Sequence, residues 1–69
     1  MRLKKHSLTL GGHRTSISLE EEFWNGLTTI AKKQKKSVQQ LVEEIDKGRS
    51  HNLSSALRVY ILNYFKNHS

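Results

Sequence analysis

The feature that most limits what this chain can fold into is a change of rhythm at Glu20. From His13 to Leu19 the order is His-Arg-Thr-Ser-Ile-Ser-Leu, so Thr15, Ile17 and Leu19 alternate with Arg14, Ser16 and Ser18. A period of two belongs to a strand with one side buried and the other in water. Beyond Glu20 the apolar residues fall at helical spacing instead, with Phe23, Leu27 and Ile30 at i, i+4 and i+7 and with Trp24 and Ala31 beside them. Glu20, Glu21 and Glu22 occupy the first turn and Lys32 and Lys33 the last, each sign suiting its end of the helix dipole. The pattern predicts a strand over 13–19 and a first helix over 20–34. Gly26 weakens that helix by up to about 1 kcal/mol but allows another helix to come close.

Two more helices follow. Ser37-Val38-Gln39-Gln40 places a hydroxyl at the N-cap and Gln at the third position, a capping-box pattern. Val38, Leu41, Val42 and Ile45 form the stripe of a second helix over 38–47, and Gly48 stands where a left-handed terminating residue belongs. Asn52 and Ser54 both fit as caps of a third helix over 53–66. Its stripe of Leu53, Ala56, Leu57, Tyr60, Ile61 and Tyr64 is widened by Val59, Leu62 and Phe65. So broad an apolar face implies packing on its own chain and on a partner.

Residues 1–12 leave two readings open. Ser7-Leu8-Thr9-Leu10 alternates like a strand and Gly11-Gly12 is a turn signal. A continuous strand would set Leu8 and Leu10 on the polar face of Arg14 and Ser16. A two-residue hairpin pairs Leu10 with His13 and Leu8 with Thr15, which moves both leucines to the apolar side. The alternative is a flexible basic arm.

With 69 residues and no cysteine, the chain is a single small domain, 1–69, without disulfides or thiolate metal sites. A partner chain is the remaining way to enlarge its core. Twelve Lys and Arg against six Asp and Glu give a formal charge of +6. Arg2, Lys4, Lys5, His6, His13 and Arg14 fall in an acid-free start, and Lys32, Lys33, Lys35 and Lys36 form a second cluster. Two such clusters point to an anionic partner. Met1–Leu10 lacks a signal-peptide core and no run is long enough to span a membrane, so the expected place is the cytoplasm, on the nucleoid. His6, His13, His51 and His68 lack metal-ligand spacing, and no nucleophile, base and orienting group stand together. Neither metal, cofactor nor enzymatic activity is expected.

A lone two-sided strand leaves both edges unpaired. Pairing with the same strand of a second copy about a two-fold axis resolves this, and makes a two-stranded ribbon resting on helices. Ile17, Leu19, Trp24, Leu27, Leu41 and Ile45 are then expected in the dimer core. The ribbon's outer face presents Arg14, Ser16 and Ser18 twice. A ribbon of this kind fits the roughly 12 Å major groove of B-DNA, where an arginine bonds guanine through two donors.

Ile17-Ser18-Leu19, the stripe of Phe23, Trp24, Leu27, Ile30 and Ala31, and Ser37-Val38 give His13–Ile45 a pattern that resembles the ribbon-helix-helix family, including the Arc, MetJ and CopG types of bacterial repressor. The resemblance implies a mainly α fold with a short β ribbon, an intertwined homodimer, and sequence-specific binding of double-stranded DNA by a transcriptional regulator. It assigns base contacts to Arg14, Ser16 and Ser18, and a phosphate clamp to Ser37 and Val38. His13, Lys4 and Lys5 are expected as further phosphate contacts from their charge. Two departures stand out. Lys35 occupies the place of a usual glycine, where a left-handed backbone disfavours other residues by roughly 1–2 kcal/mol, and Asn52–His68 adds a C-terminal helix. Gly12-His13-Arg14-Thr15-Ser16 and Asn52-Leu53-Ser54-Ser55-Ala56-Leu57-Arg58 are similar to a small bacterial subfamily of the same fold. The alternatives are an antitoxin-like adaptor that binds a partner protein through its C-terminal helix, and an assembly module whose charge serves solubility.

Overall fold

The computed structural model describes residues 2–48 and 52–68. Two strands, β1 (Leu3–Leu10) and β2 (His13–Glu20), precede three helices, α1 (Glu21–Lys33), α2 (Val38–Gly48) and α3 (Leu53–His68). The strands form an antiparallel hairpin in which Leu10 faces His13 and Leu8 faces Thr15, so the segment before Gly11 is a strand and not a flexible arm. Gly11 and Gly12 both hold positive φ, +59° and +82°. That combination defines the type I′ turn, whose twist matches the strands it joins. The premise that β2 lacks a neighbour is thereby corrected, because its partner strand comes from the same chain.

The hairpin lays one face on the helices. Ile17 and Leu19 join Leu27, Ile30 and Ala31 of α1, Leu41 and Val42 of α2, and Leu57 and Ile61 of α3 in one buried cluster. Of the residues expected in a dimer core, Ile17, Leu19, Leu27 and Leu41 are buried within one chain, while Trp24 and Ile45 are partly buried against the same cluster. The exposed surface of 4763 Å² is close to the roughly 4,500 Å² of a compact monomer of this mass. One chain therefore closes its own core, and α3 provides much of the cover by packing on α1, α2 and β2. A Cβ at Gly26 would lie 3.1 Å from Ile61 Cγ2 and 3.2 Å from Phe65 Cε2, so this glycine does admit the close approach of α1 and α3.

Local hydrogen bonds fix the helix ends. Ser37 Oγ accepts the Gln40 N–H at 3.0 Å, and Asn52 Oδ1 accepts the Ser55 N–H at 2.8 Å, so Asn52 rather than Ser54 caps α3. At the end of α1 the Lys36 N–H reaches the Ala31 carbonyl (2.9 Å) and the Lys35 N–H the Lys32 carbonyl (3.1 Å). This is a Schellman motif, with Lys35 in the left-handed position at φ +57°. The family's turn is thus retained without its glycine.

Two expectations are overturned. Glu20 ends β2 instead of entering the helix, and its side chain makes no cap. Its carboxylate accepts Arg58 Nε at 2.8 Å and a second guanidinium nitrogen at 3.2 Å. Bonding to Arg58 holds the Glu20 carboxyl below its ordinary pKa. Gly48 is the last residue of α2 and its backbone is not left-handed.

Candidate nucleic-acid interface

In an antiparallel pair, residues directly opposite each other share a face. The register sets Lys5 against Ser18, Ser7 against Ser16, and Thr9 against Arg14. All six are exposed, so the outer face of the hairpin between these pairs is wholly polar. Neither Arg14 nor Lys5 has an ion-pair partner among the described residues.

The two-residue turn also fixes which backbone groups point sideways. Leu10 and His13 close the turn as a hydrogen-bonded pair, and such pairs alternate with open ones along the ladder. Thr9/Arg14, Ser7/Ser16 and Lys5/Ser18 are therefore open pairs, with their N–H and C=O groups directed away from the neighbouring strand. Two contacts agree with this parity. The Thr9 N–H donates to Gln39 Oε1 of α2 at 3.3 Å, and the Ser18 carbonyl accepts from Ser54 Oγ of α3 at 3.1 Å. Each outer edge of the ribbon is thus held by a different helix. Further along the β2 edge lies an open groove of about 480 Å³, bordered by Leu10, Thr15, Ser16 and Ile17 on one side and by Asn52 and Leu53 on the other.

Arg14, Ser16 and Ser18 lie on one exposed face, and Lys5 joins them from β1. Lys4 does not. It pairs with Leu19 on the opposite parity, and its Nζ lies 3.6 Å from the Glu21 carboxylate. His13 is exposed at the turn but pairs with Leu10, away from Arg14. Ser37 caps α2, and the N–H groups of Val38 and Gln39 belong to the first turn, where a helix offers donors without internal partners. The Gln39–Thr9 bond sets this turn beside the β1 edge. Ser7 and Thr9 complete the polar face although the sequence reading assigned them no role. Their signal was present, since the Gly-Gly register that moves Leu8 and Leu10 inward also moves Ser7 and Thr9 outward. No group of three His, Asp or Glu residues that could hold a metal occurs among the described residues, and none of their helices is long and apolar enough to cross a membrane.

A strand pair set on helices, with its free face polar, has the architecture of a DNA-binding regulator. The model of the Ribbon-helix-helix domain matches residues 3–65, and the chain belongs to that family. A solved structure, the uncharacterized protein from Bordetella pertussis Tohama I, is 36% identical, with a TM-score of 0.78 over 91% of this chain. The match spans 55% of that longer chain. Comparison with curated proteins gave no match.

Proposed function

We propose that this protein binds double-stranded DNA in a sequence-specific manner as a homodimer, and acts on the bacterial nucleoid as a transcriptional regulator, a repressor. The observation that carries the reading is the polar outer face of the ribbon, where Arg14, without an ionic partner among the described residues, stands between hydroxyl side chains. Family membership supports it. The seam proposed for the dimer is the outer edge of β2. There the N–H and C=O groups of Arg14 and Ser16 face away from β1, beside a groove with Leu10, Ile17 and Leu53 on its walls. A second copy's β2, added antiparallel, gives a four-stranded sheet with the two β2 strands at its centre. Arg14, Ser16 and Ser18 of both chains then enter the major groove together and contact bases. The amides at Ser37 and Val38, with Lys5 and with His13 at the turn, take phosphates, whereas Lys4, on the opposite face beside Glu21, is left out of the contact set. The test is selection of bound sequences from random duplex DNA followed by footprinting. A two-fold symmetric motif is expected, and a featureless selected pool overturns the reading.

One observation favours a second reading, the adaptor. On α3, Val59 and Leu62 remain 48% and 60% exposed, and Phe65 38%. A partner protein docking there would bury them. Leu62→Glu separates the two readings, since it abolishes capture of such a partner and leaves DNA selection unchanged.

A further inference from the structure

We propose that β1 carries a second set of DNA contacts, in which Lys5, Ser7 and Thr9 grip the phosphates bounding the major groove while β2 reads the bases. The inference rests on the DNA-binding reading and on dimer pairing through β2. Its starting point is register: Lys5, Ser7 and Thr9 are exposed on the face of Arg14, Ser16 and Ser18, one strand further from the proposed seam.

Width then decides what that strand meets. Neighbouring strands lie about 4.8 Å apart, so the order β1-β2-β2-β1 sets the two outer strands about 14 Å apart. The major groove is only about 12 Å wide. The central pair fits between its walls, and each β1 lies over a wall, where the groups on offer are phosphate oxygens. The side chains suit that target. A lysine neutralises a phosphate, and short hydroxyls donate to its oxygens without carrying sequence information. The neighbouring helix extends the same strip of donors. Gln39 binds the Thr9 N–H at 3.3 Å, which holds the β1 edge beside the first-turn amides of α2. The strand that closes the monomer's core thus also widens the surface that meets the duplex.

The test uses the full-length chain, a selected duplex and an unrelated one, with binding followed by fluorescence anisotropy over a range of salt. Lys5→Ala is expected to make the log–log salt slope shallower by roughly 2 per dimer, one phosphate from each chain. Ser7→Glu and Thr9→Glu set a carboxylate against phosphate, and are expected to weaken both duplexes by the same factor, about tenfold or more. The motif recovered by selection stays that of the wild type. Circular dichroism and the emission of Trp24 establish that each variant folds. A changed motif for either glutamate variant overturns the inference, because β1 would then read bases. Undiminished binding by all three variants overturns it as well. Arg14→Ala keeps the two levels apart: loss of sequence preference in that variant sustains the DNA-binding reading even where the β1 variants fail. A wild-type chain that binds no duplex overturns both.

Discussion

The two faces of the hairpin are made from alternate residues of the same strands, yet nothing about their surroundings is alike. On the inner face Leu8, Leu10, Ile17 and Leu19 pack into the core, and His6 stacks on Trp24 with ring centroids 3.7 Å apart and planes inclined by 6°. On the outer face, the hydroxyls and cations are exposed. Because the side-chain period is two, a step of one residue exchanges a role in stability for a role in recognition. The contrast shows that a short strand can serve both purposes without compromise, provided that no residue serves both.

The severest test of that separation is Leu19→Asp. Leu19 is fully buried, and a carboxylate in its place should destabilise the fold by about 4 kcal/mol or more. That approaches the whole stability of a domain this small, roughly 3–10 kcal/mol, so circular dichroism should find the variant largely unfolded. A folded variant would break the comparison. Arg14→Ala should do the reverse. Its melting curve should stay within about 0.5 kcal/mol of wild type, while anisotropy shows a binding loss of about 1–3 kcal/mol per half-site. A smaller effect is expected at His6, a polar side chain packed on the inner face. His6 Nε2 is buried without a hydrogen-bond partner among the described residues, so His6→Phe keeps a ring on Trp24, removes the unsatisfied atom, and should raise stability in urea titrations by about 1 kcal/mol.

The mildest test concerns Glu20, where β2 leaves the sheet. Its carboxyl is held below the ordinary pKa by Arg58, so the pair stabilises the fold above the ordinary carboxylate pKa. That contribution is lost as pH falls through the lowered value. Thermal melts from about pH 7 to 2 should therefore show a shallower acid decline for Arg58→Gln than for wild type. Equal declines would mean that other carboxylates set the acid limb.

Elements fixed by neighbours in sequence were legible from the residues alone. The alternation from Thr15 to Leu19, the stripe of α1 and the Ser37 cap each depend on groups a few positions apart, and the Gly-Gly phase break contained the hairpin register. Contacts across the chain were not legible. Glu20 matches the composition of a first helical turn, and nothing near it reveals that Arg58, 38 residues on, draws it away. Ser54 resembles a cap, yet its hydroxyl goes to the Ser18 carbonyl while Asn52 caps the helix. Alternation in β2 announced a buried face and a missing neighbour, but periodicity carries no label for the chain that provides either. Lys35 marks a further limit. The usual glycine signals a left-handed turn, whereas here the turn is imposed by the Lys36–Ala31 and Lys35–Lys32 hydrogen bonds on a residue that disfavours it.

The type I′ turn at Gly11-Gly12 also sets an order of events. Every strand pair it brings together lies within 17 positions along the chain, and contacts so local close quickly, with hairpins forming in about 1–10 μs. The bonds that tie the hairpin to α2 and α3 span 30, 36 and 38 positions, and long loops are slower to close. The ribbon is thus expected to assemble as a local unit before the helices fasten its two edges. Loosening the turn should slow folding, whereas loosening Ser54 or Arg58 should chiefly hasten unfolding.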